Sequence, residues 1–309
     1  MNRIGNALRL ALLYPINVAS KNIKFRIGLI ITVSIVFLSF VGLVAAPYKE
    51  EGWGIVTQEA MHRQGMPPCL PFSCPSIYHP FGTDEMGRDL LSRVLIGAHI
   101  ALLQISITLL ASLFLGLLIG VFTGYGGPVL ERLLGYLTEV FLIIPSFVLA
   151  AALVIVFGRG LTSVVIAIIA TWWPWYARTA YVVVRELREL DFVKLCRVMG
   201  ASRMYVIMRH LIPNTFPIVL VQAITDAGSI LIEISSINFL IGTASMQSID
   251  LPDWGMIIGF GLRYIRTYWW IVVYPGIFLL ATTLGLVLLG DGLNEYLSPV
   301  IRRRWKPWI

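Results

Sequence analysis

Residues 97–120 read GAHIALLQISITLLASLFLGLLIG, a run of 24 residues without an acidic, lysine or arginine side chain. A helix needs about 20 consecutive apolar residues to cross the hydrocarbon core of a bilayer. Because that core offers no hydrogen-bond partners to the backbone, only helices and closed barrels can span it. A barrel would be built from alternating segments of about ten residues. The stretch therefore predicts an all-α membrane protein.

The composition of the whole chain agrees with this prediction. Its 309 residues are 57% hydrophobic and only 13% charged, and the mean hydropathy is +0.80. Soluble domains carry about 25% charged residues, so the chain has too few charges to cover a water-exposed surface. The net charge of +7 is typical of basic cytoplasmic loops in membrane proteins, and we do not expect nucleic-acid binding.

Six apolar stretches predict a polytopic protein with about six transmembrane helices. Residues 1–26 precede the first helix, 27–46, and we expect a cytoplasmic amphipathic segment at the membrane surface; a frayed tail is the alternative. The proline-rich segment 47–96 is predicted to be an extracellular loop. Residues 97–290 would form the core transmembrane domain, with a cytoplasmic loop at 185–216, and 291–309 a cytoplasmic tail. The predicted spans are Ile27–Ala46, Gly97–Gly120, Val140–Phe157, Leu161–Val184, Pro217–Ile241 and Tyr268–Leu289.

Lysine and arginine are distributed unevenly over the two sides of this bundle. With both termini inside, the inner segments hold sixteen: five before the first span, Arg132, six in 185–216 and four in the tail. The outer segments hold seven, and Arg178 falls within the fourth span. Because basic residues accumulate in cytoplasmic loops, the sequence predicts cytoplasmic N- and C-termini in a cell membrane.

Three glycines in the second span recur every four residues, at Gly116, Gly120 and Gly124. Small residues at this spacing lie on one helix face and let a second helix approach closely. The stripe predicts tight helix packing and does not specify a function.

The connection 185–216 has the pattern of two short amphipathic helices. Gly200 permits a sharp turn between them, and Pro213 is expected to end the second. The apolar positions of the first helix are Phe192, Leu195, Cys196 and Met199, and those of the second are Met204, Ile207, Met208 and Leu211. An apolar stripe outside the membrane must be covered, either by another protein or by lipid headgroups, and the composition leaves both open.

The same connection resembles a known family. Its characteristic residues are, in order, Asp191, Met199-Gly200-Ala201-Ser202 and Arg209-His210-Leu211-Ile212-Pro213-Asn214. They follow one another as in the coupling loop of ABC importer permeases of the peptide class. In that family a Glu-Ala-Ala triplet precedes the glycine. Here the triplet positions read Lys194-Leu195-Cys196, so the docking chemistry at these positions departs from the family pattern.

Two distant motifs extend the resemblance to most of the chain. The first is the run His79-Pro80-Phe81-Gly82-Thr83-Asp84-Glu85-Met86-Gly87-Arg88-Asp89. It is similar to the segment before the second span of the C-type permease of dipeptide and oligopeptide importers. The second is Leu289-Gly290-Asp291-Gly292-Leu293, followed by Pro299 and Arg302. It is similar to the C-terminal end of that subunit. From about residue 20 onward, three separated motifs agree in order.

The resemblance implies a type I ABC importer fold and a set of partners. These are a second, B-type permease, two ABC ATPase subunits, an extracellular solute-binding protein and the surrounding lipid. The coupling loop would contact the ATPases through Asp191, Phe192, Leu195, Met199, Gly200, Ala201, Ser202 and Pro213. The chain has no phosphate-binding loop of the Gly-x-x-x-x-Gly-Lys-Ser/Thr type. We therefore expect no enzymatic activity, catalytic residue or cofactor in this chain, with ATP and Mg bound by the ATPases.

Two acidic residues, Asp226 and Glu233, fall within the predicted fifth span. Acids are costly inside a membrane and are functional candidates. Being two helical turns apart, they share a face. By resemblance, Glu233 and the following Asn238 would line or brace the translocation pathway; a structural hydrogen-bonding role is the alternative for Glu233, and both readings stay open for Asp226.

Cys69 and Cys74 lie in the predicted extracellular loop, where disulfides can form. We predict a bridge between them, with two free thiols as the alternative. The third cysteine, Cys196, is expected to act as a small hydrophobic residue. No cysteine and histidine set has the spacing of a metal site.

A proton-coupled secondary transporter using Asp226 and Glu233 is the rival hypothesis. Many such carriers have inverted repeats of broken helices, and no such repeat is visible in the sequence. Within the importer class, the resemblance suggests di- or oligopeptides as cargo, while oligosaccharides and nickel stay open.

Overall fold

A computed structural model describes residues 22–70, 73–158, 160–244 and 251–297, and the described regular elements are helical. Two isolated antiparallel bridges, Leu70 with Ser73 and Thr83 with Asp89, occur between the first two long helices. The α-helices are α1 Ile23–Ala45, α2 Lys49–Gly52, α3 Gln58–Met61, α4 Leu90–Tyr125, α5 Pro128–Ile143, α6 Ser146–Phe157, α7 Leu161–Leu187, α8 Asp191–Val198, α9 Arg203–Val206, α10 Ile212–Ala244, α11 Trp254–Gly261 and α12 Trp270–Leu297. A π-helical turn, Ile207–Leu211, joins α9 to α10, and a 3₁₀ turn, Leu262–Tyr264, follows α11.

The predicted all-α membrane class is confirmed. Four stretches among the described residues are long and apolar enough to cross a bilayer: Ile23–Ala45, Leu90–Tyr125, Arg203–Ala244 and Trp270–Glu295. The pair α5 and α6 would make a fifth span if it crosses as one broken helix. The fourth predicted span corresponds to α7, whose 27 residues include Arg178.

The predicted third span, Val140–Phe157, is wrong as a single straight helix. The structure divides it between α5 and α6, whose axes differ by 94°. The break falls at Ile144, which has extended backbone angles, and Pro145. A residue before proline is disfavoured in the helical region, and proline cannot donate a backbone hydrogen bond. Hydropathy did not reveal this bend because both arms are apolar.

Three helix boundaries differ from the predicted ones. The first helix begins at Ile23 instead of residue 27, because the Asn22 side chain accepts hydrogen bonds from the amides of Lys24 and Phe25. The second long helix begins at Leu90, inside the predicted loop 47–96. The last helix continues to Leu297, into the predicted tail. Residues 1–21 and 298–309 lie outside the described residues. They include most of the predicted amphipathic segment and most of the predicted basic tail.

The fold divides into two compact units. One contains the described residues up to Leu103 and those from Thr225 onward, and the other contains Gln104–Ile224. In the first unit, α1 and α12 pack closely through small residues. A Cβ added at Gly28 would lie 2.8 Å from the Gly285 carbonyl oxygen, and one at Gly292 would lie 2.6 Å from Phe25 Cβ. Side chains at these positions would force the two helices apart.

In the second unit, the predicted glycine stripe packs against α7, as expected. A Cβ added at Gly116, Gly120 or Gly124 would lie 2.5–2.7 Å from side-chain atoms of Tyr176, Ala180 or Val184. The prediction of close helix approach is therefore confirmed. A buried apolar cluster continues from this contact towards the 191–211 segment and includes Val121, Val184, Val193, Val206, Ile207 and Leu211.

The candidate coupling segment and the polar cap

Residues 191–211, which we call the coupling segment, form two short helices and a π turn in the second unit. Asp191 begins α8, where a carboxylate interacts favourably with the helix dipole. Gly200 has a φ of +85°, a left-handed conformation that ends the turn after α8 at little steric cost. The Ser202 hydroxyl then accepts a hydrogen bond from the Tyr205 amide at 3.2 Å and caps α9.

The predicted apolar stripes are only partly buried within this chain. Val193, Val206, Ile207 and Leu211 are buried in the apolar cluster, and Ala201 and Cys196 are partly buried against it. Phe192, Leu195 and Met199 are exposed, so both predicted alternatives, cover by another protein and cover by lipid headgroups, stay open for them. Because both faces of α8 carry apolar residues, the sequence pattern could not distinguish the face that packs against the bundle from the outward one.

The outward face carries what we call the coupling patch: Leu195, Val198, Met199, Met204 and Met208. Each of these side chains is more than half exposed, and Val198 and Met199 reach 84% and 86%. Contiguous exposed apolar side chains mark a surface that another molecule covers. Methionine side chains also adapt their shape to a partner. The patch therefore has the character of a docking surface.

The triplet positions that depart from the family pattern divide between the two faces. Leu195 belongs to the coupling patch. Lys194 is exposed and pairs with Glu189 at 3.3 Å. Cys196 lies with its sulfur 3.7 Å from His210 Nε2, and the ring of His210 also contacts those of Phe192 and Tyr205.

Pro213 does not end the second helix, contrary to the sequence prediction. The chain widens into the π turn at Ile207–Leu211 and continues as α10 without a break, so Pro213 lies in the first turn of α10. Proline is tolerated in a first turn. The Asn214 side-chain amide donates to the His210 carbonyl oxygen at 2.6 Å and provides a partner at this irregular turn.

The three pathway candidates lie on α10 in the first unit. Asp226 is half-buried, Glu233 is 9% exposed and Asn238 is fully buried. Asn238 faces Asp253, whose carboxylate accepts a hydrogen bond from the Met256 amide at 3.1 Å and caps α11. Burial raises the pKa of Asp253 to about 6, although its hydrogen bonds favour the charged form. Sequence analysis did not identify Asp253.

A second set of polar residues forms a buried network in the segment between α1 and α4, and sequence analysis named only those members that belong to the motif His79–Asp89. We call residues 48–93 the cap. Glu51 accepts hydrogen bonds from Arg63, at 2.8 Å, and from the Thr57 hydroxyl, at 2.9 Å. Its other oxygen accepts from the amide of Asp89 at 2.9 Å. Buried charges are tolerated when they are paired and hydrogen-bonded in this way.

His79 links this network to the start of α4. Its Nδ1 lies 2.9 Å from a carboxylate oxygen of Asp89, and its Nε2 lies 2.8 Å from Arg63. The second Asp89 oxygen accepts from the Ser92 amide at 2.7 Å, within the first turn of α4. The network therefore fixes the end of the cap to the first turns of a long helix.

Asp84 and Arg88 form a second buried pair in the cap. Arg88 Nε donates to Asp84 at 2.7 Å, and a further Arg88 nitrogen donates to the Gly54 carbonyl oxygen at 3.1 Å. The adjacent Glu85 carboxyl is 8% exposed. Burial, and secondly the neighbouring charge of Asp84, raise the pKa of Glu85 to about 7. The signal for this cluster in the sequence is the density of charges in an otherwise apolar chain.

The sulfur atoms of Cys69 and Cys74 lie within bonding distance in the cap. We expect alkylation to modify these cysteines only after reduction of the purified protein, with the mass shift read for the peptide that contains both. Equal modification with and without reductant would contradict the bridge. Among the described residues, no group of histidine, cysteine, aspartate or glutamate side chains could hold a metal ion.

Comparison with known proteins identifies the family. Residues 116–303 match the model of the binding-protein-dependent transport system inner membrane component, which covers more than half of the chain and includes the whole coupling segment. The chain belongs to this family. It is a multi-pass membrane permease of the ABC importer type, and the predicted peptide-class resemblance is confirmed.

Three relatives show the range of the family. The permease is 34% identical to a probable D,D-dipeptide transport system permease of Escherichia coli K12, over 73% of this chain and 74% of that one. It is 29% identical to a dipeptide transport system permease of Alkalihalophilus pseudofirmus, over 91% and 88% of the two chains. A nickel transport system permease of E. coli K12 is 33% identical over 73% and 80%. These relatives do not support the rival hypothesis of a proton-coupled carrier.

Proposed function

We propose that this permease is one of two membrane chains in an ATP-driven importer of di- or oligopeptides. Its partners would be a second permease of the B type, two ABC ATPase subunits that bind ATP and Mg, and an extracellular solute-binding protein. The observation that carries the proposal is the coupling patch, an exposed apolar surface on a segment anchored by fully buried residues.

The coupling segment is suited to receive force from a partner. Val193, Val206 and Leu211 are fully buried in the second unit, so the segment is anchored on one side. The patch on the other side would be covered by an ATPase. Dimerisation of the ATPases on binding ATP would then move the segment together with the helices against which it packs. ATP can shift the helix bundle from one conformation to the other only to the extent that the assembly binds ATP more tightly in one conformation than in the other.

We further propose that the coupling segment is cytoplasmic, with both termini on the same side, and that the cap is extracellular. The excess of lysine and arginine around the coupling segment supports this orientation. The cap would then face the compartment in which a disulfide between Cys69 and Cys74 is stable. The buried acids Glu233 and Asp226 on α10, with Asn238, are proposed to line or brace the pathway.

Peptides are the proposed cargo because two of the relatives described above are named for dipeptides. The nickel permease is almost equally similar, and oligosaccharides stay a further candidate. The binding protein would supply most of the selectivity. Uptake of labelled dipeptides, oligosaccharides and Ni²⁺ should be measured in cells with and without the permease. If removal of the permease abolishes the uptake of Ni²⁺ or of oligosaccharides and leaves dipeptide uptake unchanged, a peptide cargo is contradicted.

The assembly itself is tested by affinity purification of the tagged permease from native membranes in mild detergent, followed by mass spectrometry. We expect a second permease and ATPase subunits to accompany it. Recovery of the permease alone, or of a homo-oligomer, would overturn the importer assembly. Uptake that continues without any ATPase would instead favour proton coupling through Asp226 and Glu233.

A further inference from the structure

A basic cleft lies in the second unit, next to the coupling segment but distinct from the coupling patch. Its volume is about 450 Å³. Four basic side chains, Arg188, Lys194, Arg197 and Arg203, line it, together with one acidic side chain, Glu189. The wall opposite is formed by the end of α4 and the start of α5, at Gly124, Tyr125, Gly127 and Pro128.

The three guanidinium groups are held in place from the α4 side. Arg188 donates to the Gly124 carbonyl oxygen at 3.1 Å, and Arg203 donates to that of Gly126 at 3.3 Å. The Arg197 guanidinium lies over the Tyr125 ring, 5.3 Å from the ring centroid. Each guanidinium has five N–H donors, so one carbonyl bond leaves donors for a further acceptor. Positive charge is thus concentrated and oriented before any ligand arrives.

Glu189 does not neutralise the cleft. It pairs with Lys194 and with Arg188, both at 3.3 Å. The hydrogen bond with Lys194 lowers the pKa of Glu189, so its carboxyl stays charged at neutral pH. Counting the lining charges, four positive and one negative leave a net charge of +3.

The position of the cleft relates it to the membrane. Gly124 and Tyr125 are the last residues of α4, a helix apolar enough to cross a bilayer. A helix that crosses the hydrocarbon core leaves it towards one of its ends, so we expect this wall of the cleft near the level of the lipid headgroups. Immediately beyond it, α5 begins with exposed apolar side chains, Val129 and Leu130, followed by Leu133. Basic side chains therefore adjoin a surface suited to acyl chains.

We propose that this cleft binds the phosphate of an anionic phospholipid, with the acyl chains against the exposed face of α5. Basic pockets at the ends of transmembrane helices bind anionic headgroups by this combination of charge and position. The ligand would connect the α4–α5 turn to α8 and α9, and would thereby stabilise the coupling segment. The proposal requires a membrane protein but neither the proposed cargo nor the proposed ATPases.

The test is binding of phosphatidylglycerol to the full-length permease, purified from native membranes with the subunits that accompany it, measured by native mass spectrometry. Phosphatidylcholine and inorganic phosphate serve as the other two probes. We expect one retained phosphatidylglycerol that phosphatidylcholine does not displace. The double variant Arg197→Gln/Arg203→Gln should weaken it about tenfold or more, since each basic residue near an anionic surface contributes substantially to binding.

Arg209→Gln is the matched control, because Arg209 is an exposed arginine of the same segment outside the cleft. Arg209→Gln should change the lipid affinity less than twofold. If the double variant proves unstable, Arg203→Lys is measured as well; because it keeps the charge, it should retain lipid binding. Equal binding of the two phospholipids, or equal losses in Arg209→Gln, would overturn the proposal. So would binding of inorganic phosphate as tight as that of the lipid. Loss of accompanying subunits with unchanged lipid binding would assign the cleft to a protein contact.

Discussion

Glu51 and Arg63 show how single charged residues are accommodated in the cap. Both oxygens of Glu51 are hydrogen-bonded, and its partner Arg63 also contacts His79. Removing one partner of such a buried pair leaves an uncompensated charge, which is more destabilising than the loss of an exposed pair. The charges of the cap are therefore specific structural contacts.

Glu85 is the residue whose charge state should make stability depend on pH. Its folded pKa of about 7 lies above the usual value of 4.5, chiefly because burial disfavours the charged form. The folded state therefore binds the proton more tightly than the unfolded state, and the free energy of unfolding falls as pH rises from about 4.5 to 7. We expect Glu85→Gln to stabilise the protein on the order of 2 kcal/mol at pH 8 and little at pH 5.

Thermal unfolding of the purified protein at pH 5 and pH 8 measures this difference. Glu50→Gln is the control, because Glu50 is a neighbouring exposed acid of the cap. The two variants should differ at pH 8 and resemble the wild type at pH 5. A Glu85→Gln variant that is no more stable than the wild type at pH 8 would show that the fold does not disfavour the charged form of this carboxyl.

At the scale of single helices, the glycine stripe of α4 makes a quantitative prediction. A Cβ at Gly120 would lie 2.6 Å from Ala180 Cβ, while one at Gly135 would have no atom within 4 Å. Gly120→Ala should therefore lower stability by about 1–3 kcal/mol, since α4 and α7 must move apart. Gly135→Ala, the same substitution in an open position, should not lower it. Unfolding midpoints of the two variants decide the matter, and equal midpoints would mean that the helices separate without cost.

The two faces of α8 should respond differently to the same substitution. Val193 is fully buried and Val198 is 84% exposed. A carboxylate at Val193 would be buried without a partner, so Val193→Asp should prevent stable folding. Val198→Asp should leave the unfolding midpoint unchanged and reduce the recovery of ATPase subunits at least about tenfold, because a charge would lie in a desolvated contact.

The control for the coupling patch is Ile77→Asp, which places the same charge on an exposed apolar residue of the cap. It should not change ATPase recovery. If Val198→Asp retains the ATPases in full, the coupling patch is not their docking surface.

At the scale of the whole molecule, orientation is the property to test. In a variant lacking the Cys196 thiol, Ile77→Cys and Glu186→Cys place single exposed thiols in the cap and at the end of α7. A maleimide that cannot cross membranes should label Ile77→Cys in intact cells and Glu186→Cys only after permeabilisation. Labelling of the variant that lacks the Cys196 thiol and carries neither new cysteine measures the contribution of Cys69 and Cys74. The reverse pattern would place the coupling segment outside and contradict the proposed orientation.

The sequence was sufficient for the helical class and for the position of the long helices, because apolar length is a property of each segment alone. It was insufficient where two segments compete for the same face. The buried side of α8 depends on Val206 and Leu211, which are distant from Val193 in the sequence. The bend at Ile144 and Pro145 was missed because apolar residues continue on both sides, although Pro145 was a visible signal.

The polar cap was only partly predictable for a related reason. The family motif from His79 to Asp89 indicated that its residues matter, but Glu51 and Arg63 lie outside that motif. Hydrogen bonds between residues that are 38 positions apart, such as that from the Asp89 amide to Glu51, leave no periodic pattern in a sequence. The start of helix α4 at Leu90 was likewise missed, because Ser92 and Arg93 interrupt the apolar run near its beginning.

The π turn at Ile207–Leu211 has a mechanical consequence. It joins α9, within the coupling segment, to the start of α10 without a break. A π turn is wider than an α-helical turn, and its geometry is rare in proteins. We therefore expect a small displacement of the coupling patch to change the winding of this turn before it moves the start of α10.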